Sequence, residues 1–277
     1  MWGFGKKKRE ADAGRPEEPT RASGPSPEPE QVSPPAPEST PEPVPGRTSQ
    51  DEAFDRVCAA RDAAWASVGT VDPYVVAPII NPAFLGGPRW PGLRQSFRRI
   101  ETAAGYGIVT SDGLADPFDD DSGRDTGLGV ELFLAADVFQ TTAVAGLRDL
   151  WQFDAIYQTA QNIAAAGLDL GAELDRYGAV SLGLPGSGAP NGWLDADGSI
   201  GILIGLSLAS VPAAVPVPAP VGGSQALVRL IGCAALRPDE LDAILTHGAS
   251  ARRDIAERLG ALAPDVLASG ERPSVLI

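Results

Sequence analysis

The run IGILIGL, residues 200 to 206, constrains this chain more than any other stretch. A strand points successive side chains to opposite faces, so a continuous apolar run leaves no polar face for water. It is too short and too rich in glycine for a buried helix, and the turn sequence DADG (195–198) stands directly before it. The run therefore predicts a central strand covered on both faces.

Other segments supply partners for it. RQSFRRIE, YGIVTSDG and ALVRLIGCAAL read as strands, and so does GLGVELFLAADVF. In the last, Val130, Leu132 and Leu134 share one face and Glu131 and Phe133 the other. YGAVSLGLPGSGAPNGWLDADGSIGILIGLSL reads as two strands around a glycine-rich loop. Helical spacing appears in SQDEAFDRVCAARDAAWASV, where Phe54, Val57, Cys58, Trp65 and Val68 form a stripe interrupted by Arg61. Ser49 and Glu52 have capping-box spacing, and Gly69 stops the helix. A long helix is predicted from Val144 to Ala166, with Leu150, Phe153, Tyr157, Ala160 and Ala164 on its apolar stripe. RPDELDAILTHG and ASARRDIAERLGAL read as two short helices; the first has Pro238 near its start and Gly248 past its end. VDPYVVAPIINPAFLGGPRWPGLRQ and VPAAVPVPAPVGG read as apolar, proline-laden loops. The first is expected to cover the sheet, with Trp90 as a plug over the core. This order predicts an α+β fold: a mixed, largely antiparallel sheet with flanking helices, on one side of the sheet.

Residues 1 to 50 differ in kind. They hold 11 of the 26 prolines and almost no large apolar side chains. Such a segment cannot offset its ordering entropy by burial, which predicts a disordered Pro/Glu-rich tail before a folded domain at 51–277.

The net charge is −14, and residues 51–277 carry about −13 of it. A surface this acidic repels phosphates, which argues against nucleic acid as a partner and suits solubility or a basic protein. All three lysines lie at positions 6–8, behind Trp2 and Phe4. An apolar run after a basic run, as in a secretory signal, is missing, and no stretch of about 18 apolar residues predicts a span. A short aromatic-basic cluster gives only weak attraction to an anionic membrane, so no stable insertion is expected. The two cysteines, Cys58 and Cys233, make no disulfide framework. A reducing, cytoplasmic setting is the simplest.

The acidic stretch SDGLADPFDDDSGRDTGLGVE invites a metal or acid-base reading. As an EF-hand loop beginning at Asp120, it places Glu131 at position 12, but Arg124 and Asp125 fall at positions 5 and 6, where an acid or amide and a glycine are required. A different metal geometry, or a hydrolase using the acids of 112–131 such as Asp112, Asp116 and Glu131, is the alternative reading. The plainer one is that Asp-Gly and Asp-Pro steps make turns, and that the remaining acids keep the connection soluble. GLPGSGAPNG, 183–192, lacks the Lys-Ser/Thr of a P-loop and leads towards a strand. His247 is the only histidine, so a zinc site or a Cys-His dyad is hard to build. The sequence therefore nominates no catalytic residue, metal ligand or cofactor.

The ordered segments carry more than any one motif. GPRWPGLRQ, VTSDGLADPFDDD, GLGVELFLAAD, WQFDAIYQTAQNIA, GSIGILIG and VRLIGCAALRPDELDAILTHGASARRDIAERL together resemble the suppressor-of-fused family, its bacterial members most, over about residues 70–265. The shared pattern includes the glycine-flanked strand with Glu131-Leu132 and the helix opening with Glu240-Leu241. The resemblance implies an α+β domain that binds another protein and performs no known reaction. Animal members hold a transcription factor in the cytoplasm by clamping an extended peptide between two lobes; bacterial members act as immunity proteins that neutralise toxins. This chain resembles the single-domain kind, so the two-lobe clamp does not carry over. On this reading Asp112 and Asp116 shape a turn, and Gly127 and Gly129 let the chain approach the strand closely. Asp119, Asp120, Asp121 and Asp125 form an acidic lip for a basic or toxin partner, with Asp116 and Trp90 as further contacts.

Overall fold

The computed structural model describes residues 49–118, 125–219, 224–264, 267–270 and 272–276. All of them lie in one compact unit, Pro45–Ile277. The expected tail falls outside the described residues, apart from Ser49 and Gln50, and so do Asp119, Asp120 and Asp121.

Helix α1 (Ser49–Val68) leads into β1 (Thr70–Val76), β2 (Ser96–Glu101), β3 (Gly107–Asp112) and β4 (Val130–Ala136). After the short α2 (Asp137–Thr141) come α3 (Trp151–Ala166) and α4 (Leu170–Tyr177), then β5 (Val180–Pro185), β6 (Ser199–Leu206), β7 (Ala214–Val217) and β8 (Ala226–Leu236). Helices α5 (Pro238–His247) and α6 (Ala249–Gly260) follow. Among the described residues the strands form one eight-stranded sheet in the order β1-β2-β3-β4-β8-β6-β5, with β7 beside the first half of β8. Among the described residues, β4 and β8 run parallel and the other ladders are antiparallel.

The double coverage predicted from IGILIGL holds. Ile200, Ile202 and Ile204 of β6 join Val130, Leu132 and Leu134 of β4 in one core, which Phe153, Ile156, Ala160 and Ile163 of α3 cover. Leu203 and Leu206 join Phe133, Leu230, Ala234 and Leu236 in a second core, covered by Val57 and Trp65 of α1, Leu241 and Ile244 of α5, and Ile255 and Leu259 of α6. Helices thus pack on both faces, which corrects the one-sided arrangement expected from segment order. The reason is that β4, β6 and β8 are apolar on both faces, so each face needs a cover.

Three local expectations also change. Trp90 does plug the core, but Thr70–Val76 adds an edge strand to the sheet. Within VPAAVPVPAPVGG, β7 pairs with β8; Pro216 is tolerated because one edge of β7 has no partner strand among the described residues. The predicted long helix divides at Leu150, whose backbone is extended, into a 3-10 helix (Val144–Asp149) and α3. Arg148, in the 3-10 segment, donates to the Ala77 carbonyl, tying that turn to the end of β1. Helix α4 was not foreseen; Asp169 caps it by accepting from the Ala172 N–H at 3.0 Å. Among the described residues no helix is long and apolar enough to cross a membrane.

Candidate functional site

Beneath α1, Asp112, Asp116 and Glu131 of the acidic stretch meet arginines rather than solvent. Arg61, on the apolar stripe of α1, is 2% exposed. Its guanidinium lies 2.7 Å from Asp116 Oδ1 and 3.2 Å from Asp112 Oδ1, and it also donates to Glu131 Oε1. Arg94 grips Asp116 with two bonds, Nε to Oδ2 at 2.9 Å and Nη2 to Oδ1 at 2.7 Å, and reaches Asp112 Oδ2 at 2.5 Å. Arg98 donates to the same Asp112 oxygen at 2.7 Å.

Glu131 is the innermost member. It projects from β4 on the α1 side of the sheet, beside Phe133, as the alternation along the strand predicted. Its Oε1 also accepts from the Gly113 and Ala115 N–H groups, both at 3.0 Å, and its Oε2 accepts from Ser111 Oγ at 2.5 Å. A buried carboxylate needs such partners, because an unpaired one loses its hydration without return. Burial pushes the Glu131 carboxyl above the usual carboxylate range, against the pull of Arg61. Burial acts in the same sense on Asp112, but Arg94, Arg61 and Arg98 outweigh it and hold that carboxyl below the ordinary range.

The turn after β3 depends on this network and on two close backbone approaches. A Cβ on Gly113 would stand 2.0 Å from the Arg94 carbonyl oxygen, and one on Gly127 would stand 2.2 Å from the Asp116 carbonyl oxygen. Both glycines have positive φ. Gly129 also has positive φ, but no atom crowds it. The close approach expected of the two glycines thus belongs to Gly127.

Two expected partner contacts are corrected. Asp116 and Trp90 are both 0% exposed. The carboxylate is consumed by Arg61 and Arg94, and the indole packs edge-on against Phe97 at 5.8 Å. Neither is presented to a partner. Asp125 is at the surface, its side chain 45% exposed and 3.6 Å from Arg56. The signal for the network was present in the sequence as two anomalies: Arg61 interrupts an apolar helix stripe, and Glu131 interrupts an apolar strand.

Among the described residues no group of three or more His, Cys, Asp or Glu is placed to hold a metal ion. Of the acids in the alternative reading, Asp112, Asp116 and Glu131 face guanidinium groups, which occupy part of their lone pairs. The Cys58 thiol is pushed up by burial, an effect Arg61 and Arg94 only partly oppose, and burial alone raises that of Cys233. Neither is an activated thiolate. His247 is exposed at the end of α5.

A second buried pair holds the C-terminal segment. Glu240 accepts from Arg272 at 2.7 Å through both oxygens and from the Val275 N–H at 2.8 Å. The guanidiniums of Arg237 and Arg272 stand 4.0 and 5.1 Å from the centre of the Trp193 ring. Glu240, singled out in the family pattern, is thus a structural anchor here.

The open feature nearest the acidic stretch is a cleft of about 1070 Å³ at the start of β4 and β8. It is lined by Phe118, Asp125 and Leu128, by Leu168, Asp169 and Asp175, and by Leu227 and Arg229 of β8. Leu168 is 49% and Leu227 57% exposed. Arg229 is already engaged by Asp175 at 2.8 Å and by the Gly171 carbonyl at 3.0 Å.

No family model matches the chain, and no curated protein matches its sequence. Among solved structures it is similar to one described as the Sufu-Fu complex crystal structure, with a TM-score of 0.49 and 14% identity over 81% of this chain and 92% of that one.

Proposed function

We propose that this chain is a protein-binding module of the suppressor-of-fused type, which catalyses no reaction and seats an extended, basic and apolar segment of another protein in the cleft at the start of β4 and β8. The observation that carries the reading is the cleft itself. It sets half-exposed leucines beside Asp125, Asp169 and Asp175, in a domain whose acids outnumber its arginines by about 13. Such a groove offers apolar burial for affinity, while the surrounding negative field speeds the approach of a basic partner. The order of sequence segments supports the family part of the proposal. The engagement of Asp112, Asp116 and Glu131 by arginines supports the absence of chemistry at the acidic stretch. The finer reading, that the partner is a toxin which the module neutralises, follows from the resemblance to bacterial members.

The test is a native pull-down with the tagged full chain, read by mass spectrometry, beside the double variant Leu168→Asp, Leu227→Asp. A stoichiometric partner lost from the variant is expected. A partner that the variant retains would move the site elsewhere, and no partner at all would overturn the proposal.

A further inference from the structure

The loop after β1 was expected to bury its apolar side chains, yet it presents them to solvent. In it Ile79 is 95% exposed, Ile80 59%, Phe84 73% and Leu85 74%, and at the end of β1 itself Tyr74 is 73% and Val75 46% exposed. At ~150 Å² each, the low end of the aromatic range because four of the six are aliphatic, these fractions amount to roughly 600 Å² within twelve residues. A monomer rarely leaves more than about 300–600 Å² of contiguous apolar surface open, whereas each partner in a standard interface covers about 800 Å².

The loop holds this surface in a defined shape. Asn81 donates through Nδ2 to the Leu93 carbonyl and accepts at Oδ1 from the Ala83 N–H at 3.0 Å. The Gly87 N–H donates to the Pro82 carbonyl at 2.9 Å, and Gly86 takes the left-handed conformation that ends the 3-10 turn. Pro78 and Pro82 fix their own φ angles. The exposed side chains are thus presented on a braced loop.

A pocket adjoins them. It has about 200 Å³ and lies between the end of β1 (Val76 to Pro78), Phe97 of β2, Arg148, and Phe153 and Tyr157 of α3. A cavity of about 150 Å³ lined by apolar groups can hold a benzene-sized group, so this one accepts an aliphatic side chain. Ile79, the most exposed large apolar residue of the loop, directly follows Pro78 in the pocket wall. A projecting side chain beside a matching hole on one surface is the arrangement a two-fold axis satisfies twice, each copy filling the other.

Charge points the same way. Between Asp72 and Glu101 the sequence has no Asp or Glu, although the chain has 36. Two acidic copies repel over most of their surface and least here. From these observations we infer that the surface from Tyr74 to Leu85 is the contact between two copies of this chain, with Ile79 of each entering the pocket of the other. The contact rests on side chains. Pro73 and the irregular register between Val71 and Val75 interrupt the edge of β1, which opposes continuation of the sheet from copy to copy.

Sedimentation of the full chain between ~1 and ~100 μM tests this, since contacts of standard size span micromolar affinity and tighter. The wild type is expected to sediment as a dimer. Ile79→Asp places a charge in both symmetric pockets and should weaken dimerisation at least about a hundredfold. Ile79 is almost fully exposed, so its variant should keep the wild-type circular dichroism, and any fall in its Tm should be the concentration-dependent one that follows from losing the partner copy. Leu245→Asp, at a 75% exposed leucine on α5, should leave the dimer intact. A wild type that stays monomeric throughout would overturn the inference, including one that uses Ile79 to hold a different protein. So would a dimer that Ile79→Asp does not weaken. The cleft proposed for the heterologous partner is untouched by these variants, so the two proposals fail separately.

Discussion

Replacing Arg61 by Met tests whether the buried network is a single electrostatic unit. Methionine keeps most of the arginine stem, so little cavity is created, but the cation that faces three carboxylates is removed. Asp112 retains Arg94 and Arg98, and Asp116 retains both bonds from Arg94. Glu131 retains only neutral donors, Ser111 Oγ and the Gly113 and Ala115 N–H groups. The damage therefore concentrates on one fully buried carboxylate. Removing one partner of a buried ion pair costs about 3–5 kcal/mol, and for a domain of this size each kcal/mol lowers Tm by roughly 2–4 °C. A fall of roughly 6–20 °C follows at neutral pH, together with a lower urea midpoint at unchanged m-value. The loss should shrink as pH falls from neutral, because burial already favours the protonated form of Glu131 and a neutral carboxyl needs no cation. Adding Glu131→Gln to Arg61→Met should then recover about 1–3 kcal/mol, the coupling expected between residues of one network. The measurement is urea unfolding followed by tryptophan fluorescence, at two pH values, for the wild type, both single variants and the double. A cost below about 1 kcal/mol, or a double variant no better than Arg61→Met alone, would refute the reasoning.

Asp112→Asn addresses the opposite titration. The folded Asp112 carboxyl is held below the ordinary aspartate range by Arg94, Arg61 and Arg98, so its stabilising contribution is present above that range and is lost as pH falls through the lower folded one. Thermal melts from pH 5 downwards should show the wild type losing stability more steeply than the variant, and parallel curves would contradict the assigned ion pairs. Glu240→Ala would leave the wholly buried Arg272 without its carboxylate, at a cost of about 3–5 kcal/mol, and should free the segment after α6. Limited proteolysis is expected to clip the variant beyond Gly260, while clipping no faster than in the wild type would count against Glu240 as its anchor.

Much of this protein was legible in its sequence wherever the information is local. The run at 200–206, the turn at Asp195 to Gly198, and helices α5 and α6 with Pro238 and Gly248 at their ends follow from neighbouring residues alone. So does the alternation that sends Glu131 and Phe133 to the same face of β4. The disruption of the helix stripe by Arg61 was visible too, but its meaning was not, because Arg61 and Glu131 are separated by 70 positions and meet only when α1 lies on the sheet. Asp116, expected to contact a partner, was misplaced for the same reason. Composition shows carboxylates, whereas their exposure depends on whether distant arginines come to meet them: Asp116 is enclosed and Asp125 is at the surface. The fate of the apolar loop after β1 was also decided by the tertiary structure. Hydrophobicity predicts burial, but Trp90 and Pro91 fill the space the core leaves there, and Ile79, Ile80, Phe84 and Leu85 are turned to solvent. Periodicity and turn chemistry act over a few residues and can be read along the chain. Charge pairing and exposure are properties of the packed sheet and its helices, settled only when segments far apart in sequence compete for the same volume.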